Sequence, residues 1–199
     1  MPVKAMTVGE AAKAIGARVV GDPSRLFRSV CTDTREGAEG SLFVALRGEQ
    51  ADGHVYVRSA FEQGAIAALV EREVSGATGA FIVATDSLQA LGLLARDYRS
   101  RIALPVVAVT GSVGKTTTKE IVGLALGPLG CVYVSRGNFN NEIGVPKSIF
   151  DLEERHAAAA LEFAMRGPGQ IAELADIAAP SVGIVTNIGV SHIELLLRQ

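Results

Sequence analysis

The sequence predicts an α/β protein, with a small mixed α/β amino-terminal domain followed by a parallel-sheet domain of the P-loop kind. Three observations carry that prediction. A β-branched run, Val106 to Val109, ends abruptly in the glycine loop Thr110-Gly-Ser-Val-Gly114, and a helix opens at Lys115. Beyond Asp86 strand-like and helix-like segments alternate, the pattern left by crossovers between parallel strands. Before Asp86 short strand-like runs are mixed with turns and two helical stretches. The boundary is therefore expected near Asp86, giving domains of residues 1–85 and 86–199.

The elements follow in order. Thr7 is a suitable N-cap for a helix from Val8 to Ile15, stopped by Gly16, after which Arg18 to Gly21 turn back into an extended segment. Strands are expected at Ser29 to Thr32, Leu42 to Leu46, Ala65 to Val70 and Ala80 to Thr85, with a helix from Val55 to Gln63 ended by Gly64. Asp86 or Ser87 caps a helix to Tyr98 whose apolar stripe is Leu88, Leu91, Leu94 and Ala95. Pro105 introduces the Val106 strand. Past the loop helix, Cys131 to Ser135, Ala157 to Phe163 and Val182 to Asn187 read as strands, and Ile143 to Phe150 and Gly169 to Ala178 as helices.

Bulk composition narrows the function. The 199 residues are 48% hydrophobic and 20% charged, ample material for a core. A net charge of −2 with three histidines offers no Lys/Arg stripe to release counterions, so no nucleic-acid partner is expected. Cys31 and Cys131 have neither metal-ligand nor disulfide spacing and are expected to be free, mostly buried thiols. The start, Met1-Pro-Val-Lys-Ala-Met-Thr-Val8, has no signal-peptide core, and no apolar run is long enough for membrane insertion. A cytoplasmic location is the expectation.

The loop chemistry is specific. Gly111 and Gly114 let the backbone turn tightly and aim N–H groups at phosphate oxygens, with Ser112 and Val113 between them. The dipole of the helix opening at Lys115 favours the same anion. Lys115 supplies a point charge to the β- and γ-phosphates, and the Thr116 hydroxyl, followed by Thr117, is placed for Mg²⁺. The strict Walker pattern wants glycine where Val109 stands, so this is the shorter variant Thr-Gly-Ser-x-Gly-Lys-Thr. A plain glycine turn with a solvated lysine is the bland alternative.

Other polar residues follow the other strands. Glu162 interrupts Ala157-Ala-Ala-Ala-Leu-Glu-Phe-Ala164, and a carboxylate at the end of a buried strand is costly unless compensated, as by a Mg²⁺ shared with Thr116. An ordinary edge carboxylate is the other reading. His192, after the Val182 strand, is either a ligand to a second metal or phosphate or a solvent-facing histidine. Gly137-Asn-Phe-Asn-Asn-Glu-Ile-Gly-Val-Pro146 offers amides to a nucleotide or to its own turn. Arg166 in Arg166-Gly-Pro-Gly169 reaches a phosphate or stays at the surface. Asp33-Thr-Arg35 and Gly48-Glu-Gln-Ala-Asp-Gly-His54 mix hydroxyl, charge and glycine, as a sugar-phosphate pocket or a plain loop does.

Together these segments resemble the Mur ligases of peptidoglycan synthesis, and among them the branch that adds a dipeptide. Thr110-Gly-Ser-Val-Gly-Lys-Thr-Thr-Thr-Lys-Glu120 is similar to the family's ATP loop, and the asparagine segment 137–146 to the segment that marks the branch. Met165-Arg-Gly-Pro-Gly-Gln-Ile-Ala172 and Thr186-Asn-Ile-Gly-Val-Ser-His-Ile-Glu194 also resemble family segments, in the same order. Asp33-Thr-Arg35, Leu42-Phe-Val-Ala-Leu-Arg-Gly48 and Asp52-Gly-His54 resemble the UDP-binding amino-terminal domain.

The resemblance implies an ATP- and Mg²⁺-dependent ligase that joins D-alanyl-D-alanine to UDP-N-acetylmuramoyl-tripeptide through an acyl phosphate. It implies a catalytic set of Lys115, Glu162 and His192, with Thr116 and Glu162 on a first Mg²⁺ and His192 on a second. Gly111, Ser112, Val113, Gly114, Thr117 and Asn138 would line the ATP site, and Thr34 and Arg35 would touch the uridine diphosphate portion. Two departures stand out. Ala164 replaces a family glycine in Glu162-Phe-Ala-Met-Arg-Gly167, with crowding of the backbone expected. The sequence also stops at Gln199, where the family continues with a carbamylated lysine, more of the central sheet and a third domain. The chain is thus expected to be an amino-terminal portion with nucleotide affinity and little ligation. The alternative is a non-catalytic fragment that binds nucleotide or UDP-muramoyl peptide.

Overall fold

A computed structural model describes residues 5–48 and 51–189, and the chain divides into two compact units, Met1–Leu94 and Ala95–Gln199. In the first, β1 (Met6–Thr7) leads directly into α1 (Val8–Ala14). The start of α1 is set by reciprocal bonds: Thr7 Oγ1 accepts from Glu10 N at 3.1 Å while Glu10 Oε2 accepts from Thr7 N at 2.7 Å. This capping box satisfies two donors that a helix start leaves open. Gly16, at φ +65°, turns the chain out of the helix where the sequence requires a stop.

Next come β2 (Arg18–Val20), β3 (Leu26–Phe27), β4 (Ser29–Cys31), β5 (Ser41–Val44), α2 (Val57–Glu62), β6 (Ala67–Val70) and β7 (Ala80–Val83). Five of these strands form one sheet in the order β2-β7-β6-β5-β4, parallel except for β2, and β1 pairs antiparallel with β3. β5 and β6 are buried throughout, as strands covered on both faces must be. Phe43, Val57, Ala60, Ala68, Val70 and Phe81 build a core beneath α2, where Phe61 meets Phe81 edge to face at 5.6 Å. The buried Phe43 and Phe81 each contribute about 1.5–3 kcal/mol through burial.

The helix expected from Val55 starts differently. Gly53–Tyr56 is a 3₁₀ turn capped by Asp52, whose carboxylate accepts from His54 N, and only from Val57 does the chain become α-helical. A second 3₁₀ turn, Thr34–Glu36, is capped by Asp33 in the same way. Both follow from aspartate bonding the backbone two residues on.

The division between units falls inside α3 (Ser87–Ser100), whose first turn is held by Asp86 Oδ1 accepting from Leu88 N and Gln89 N. The second unit continues with β8 (Val106–Thr110), α4 (Lys115–Leu126), β9 (Cys131–Val134), α5 (Gly144–Phe150), β10 (His156–Glu162), α6 (Gln170–Ala178) and β11 (Val182–Val185). Its four strands are all parallel, in the order β11-β8-β10-β9. α4 packs on β8, β9 and β10, and α5 on β10 and α6. Tyr98 is buried against Phe150 and donates to Leu152 O at 2.9 Å. The buried Arg99 guanidinium donates to Ala178 O, Ile102 O and Leu104 O, so carbonyls at the end of α6 and before β8 share one cation.

This sheet brings the carboxyl ends of β8, β10 and β11 side by side, with Glu162 level with Val109 and Val185 level with Thr110. Ligands of parallel sheets gather at that edge. The thiols depart from expectation: both are free, but only Cys31 is buried, because Cys131 begins the edge strand β9 in solvent. No described helix is long and apolar enough to cross a membrane.

Candidate functional site

The loop between β8 and α4 is built on two glycines. Gly111 has φ +135°, and a Cβ there would stand 2.1 Å from Thr186 Oγ1. Gly114, at φ +81°, is the N-cap of α4. Only glycine adopts both conformations without strain. The first intrahelical bond of α4 runs from Thr118 N to Gly114 O, so the N–H groups of Lys115, Thr116 and Thr117 have no helical acceptor. They and the helix dipole leave an anion-attracting end.

The Ser112 and Val113 amides are already committed. Ser112 N donates to Asn187 O at 3.1 Å and Val113 N to Asn187 Oδ1 at 3.0 Å. Thr186 Oγ1 donates to Val113 O at 2.7 Å, and Gly189 N to Ser112 Oγ at 2.9 Å. The segment after β11 is thereby stitched to the loop, a role for Thr186 and Asn187 that their sequence neighbourhood did not disclose. Lys115 curls back, its Nζ donating to Gly111 O at 2.7 Å and Ser112 O at 3.3 Å. Beside it lies a cavity of about 260 Å³ lined by Thr110, Gly111, Ser112, Lys115, Ala164, Met165, Ile171, Val185, Asn187, Ile188 and Gly189.

On the neighbouring strand Glu162 is 3% exposed. Its Oε2 accepts from Thr116 Oγ1 at 2.8 Å and its Oε1 from Asn140 Nδ2 at 2.9 Å, both neutral donors. Ser135 Oγ accepts from Glu162 N, and the buried Lys119 donates from Nζ to Ser135 O at 2.7 Å. The first turn of α4 and the asparagine turn therefore meet at the Glu162 carboxylate, while the end of β9 holds the Glu162 backbone. Asn140, Ser135 and Lys119 were not singled out by sequence reasoning, although Asn140 lies within the asparagine segment that it marked.

Of the other expected positions, Val113, Thr117 and Asn138 are exposed, Asn138 on the turn two residues before Asn140. Arg166 is exposed, and its backbone N–H donates to Gln170 Oε1. Ala164 does not have the left-handed backbone that would demand glycine, and its N–H donates to Asn140 O at 2.7 Å. His192 lies outside the described residues.

In the first unit a cavity of about 330 Å³ is lined by Thr32, Asp33, Thr34, Arg35, Phe43, Leu46, Ala51, Gly53 and Tyr56. The Gly53–Tyr56 wall is anchored from behind by buried His54. Its Nδ1 lies 2.6 Å from Asp52 Oδ1, and its Nε2 accepts from Glu71 N at 2.9 Å, which places the ring proton on Nδ1. Arg72 donates to Asp52 Oδ2 at 2.7 Å, and this bond, with those from His54, holds the Asp52 carboxyl far below the usual carboxylate range.

Comparison with known proteins places the chain in a family. Residues 27–99 match the Mur ligase family catalytic domain and residues 109–198 the Mur ligase middle domain. Over 172 residues the chain is 49% identical to the UDP-N-acetylmuramoyl-tripeptide–D-alanyl-D-alanine ligase of Synechocystis sp., covering 85% of this chain and 38% of that protein. The crystal structure of MurF from Acinetobacter baumannii superposes with a TM-score of 0.90 at 34% identity, over 97% of this chain and 43% of that one. MurF ligase from Thermotoga maritima, solved in complex with ADP, gives a TM-score of 0.76 at 37% identity over 83% and 39%. The chain thus spans about two fifths of the length of the relatives it matches. It belongs to the Mur ligase family, of which it carries the amino-terminal and middle domains.

Proposed function

We propose that this chain supplies the substrate-nucleotide and ATP-binding parts of a ligase that joins D-alanyl-D-alanine to UDP-N-acetylmuramoyl-tripeptide, with ATP activating the tripeptide carboxylate as an acyl phosphate. The observation that carries the reading is the Thr116–Glu162 hydrogen bond, which sets a hydroxyl and a buried carboxylate beside a lysine-bearing glycine loop. A strand–loop–helix of this form cradles phosphates. A relative that matches 83% of this chain, the Thermotoga maritima MurF ligase, was solved in complex with ADP, which supports nucleotide binding by this family.

The Glu162 carboxylate meets only neutral donors, and with the Thr116 hydroxyl it forms a pair of hard oxygen ligands, so the residues fit Mg²⁺. When bound, Mg²⁺ offsets charge on the phosphates and on the transferring phosphoryl group. The Lys115 ammonium would leave the Gly111 and Ser112 carbonyls for the β- and γ-phosphates, and the free N–H groups of the first turn of α4 would bind the same oxygens. Asn140 holds the Glu162 carboxylate in place. The amine of the dipeptide then displaces phosphate. Thr34 and Arg35 would contact the uridine diphosphate portion in the first-unit cavity.

Equilibrium titration of the chain with ATP plus Mg²⁺, and separately with UDP-N-acetylmuramoyl-tripeptide, tests the proposal. Two independent, non-competing sites are expected. A single shared site, or none, would remove it.

A further inference from the structure

Lys119 follows Thr116 by three residues on the same face of α4, and its side chain is 1% exposed. A buried ammonium is costly unless its protons are accepted, and Nζ gives them to Ser135 O at 2.7 Å and to Glu120 Oε1 at 3.1 Å. The Glu120 side chain is 59% exposed, so that ion pair is screened by solvent. The bond to Ser135 is buried.

Ser135 joins α4 to the end of β10. Its N–H donates to Ala160 O at 3.0 Å, its Oγ accepts from Glu162 N at 3.2 Å, and its carbonyl accepts from Lys119. The asparagine turn starts at the next residue. Inside it Phe139 N donates to Arg136 O at 3.0 Å and Asn140 N to Asn138 O at 2.8 Å. It returns to β10 where Asn140 Nδ2 donates to Glu162 Oε1 at 2.9 Å and Asn140 O accepts from Ala164 N at 2.7 Å. One face of α4 therefore holds the Glu162 carboxylate by two routes. Thr116 bonds it directly, and Lys119 acts through Ser135 and the turn that carries Asn140.

We propose that Lys119 is a positioning residue for the divalent cation of the ATP site: by fixing Ser135 it sets the Glu162 backbone and the entry to the Asn140 turn, and with them the direction of the carboxylate. The inference rests on the reading of Glu162 as a Mg²⁺ ligand. It adds a buried lysine that acts on the metal through other residues rather than on phosphate.

Calorimetric titration of ATP, with and without Mg²⁺, into wild type, Lys119→Met, Ser135→Ala, Glu162→Gln and the double variant Lys119→Met/Glu162→Gln tests it. Methionine keeps the length of the stem and removes the donor. In Lys119→Met the gain in ATP affinity that Mg²⁺ confers should fall roughly three- to tenfold, the worth of one hydrogen bond, while affinity for ATP alone stays near that of wild type. Ser135→Ala breaks the next link and should lower the same gain, which decides the matter if Lys119→Met does not fold. Adding Lys119→Met to Glu162→Gln should remove little more of the gain, because both act through one carboxylate. A gain lost in Glu162→Gln but kept in Lys119→Met and Ser135→Ala overturns the inference and leaves the site reading standing. So does equal weakening of ATP with and without Mg²⁺ in Lys119→Met, which would mark a charge acting on phosphate. No Mg²⁺ gain in wild type, or a full gain in Glu162→Gln, overturns both.

Discussion

Thr116 donates its hydroxyl proton to Glu162 across 2.8 Å, joining the first turn of α4 to the carboxyl end of β10. A carboxylate with so little exposure and only neutral donors is held at a cost that a divalent cation would offset. Glu162→Gln preserves shape and removes that charge. The variant should fold with unchanged or slightly higher thermal stability, and the gain in ATP affinity that Mg²⁺ confers should fall roughly tenfold, the size of one lost charge-assisted contact. Titrations of ATP with and without Mg²⁺ check it, and an undiminished Mg²⁺ effect would rule Glu162 out as a ligand.

Gly111 is where the loop tolerates no side chain. A Cβ would meet Thr186 Oγ1 at 2.1 Å and Asn187 N and O at 3.0 Å, on a backbone with φ +135°. Gly111→Ala should cost about 1–3 kcal/mol in backbone strain alone, and more from the displaced Thr186. Thermal denaturation should show the loss, whereas Gly137→Ala, with nothing within 4 Å, should show only the milder penalty of its positive φ. Equal losses would contradict the account of close approach.

Acid should destabilise the second unit through His156. Burial holds its imidazole below the ordinary histidine value, and its Nδ1 accepts from Glu153 N at 2.9 Å, a bond that needs the unprotonated nitrogen. The folded state thus binds this proton less readily than the unfolded chain. Its contribution is present in full above about pH 6.5 and is lost as the pH falls towards the lower folded value. Melting temperature measured from pH 8 to 5 should fall more steeply for wild type than for His156→Gln. Parallel curves would show that His156 is not involved.

Local chemistry was legible in the sequence and pairing across the sheet was not. Thr7 as the cap of α1, Asp86 as one of two candidates at the head of α3, and Gly114 before Lys115 act within four residues of themselves, so residue type and spacing announce them. The alternation of elements likewise indicated a parallel sheet and so the edge at which a site would form. Strand order was a different matter. Only the placement of β10 between β8 and β9 brings Glu162 to Thr116 and to Asn140, and lets Lys119, one helical turn past Lys115, reach the end of β9. Asn187 looked like the end of a strand, and its bonds to Ser112 and Val113 depend on β11 lying beside β8. The exposure of Cys131 has the same origin, because nothing local marks β9 as the outer strand.

The most direct measurement is calorimetric titration of ATP with Mg²⁺ into the chain and into Lys115→Ala. The account predicts saturable one-to-one binding by wild type and at least a tenfold loss in the variant, about 1.4 kcal/mol for a single charged contact to phosphate. Binding of equal strength to both proteins would contradict it, because the loop between β8 and α4 would then not be the place where the nucleotide is held.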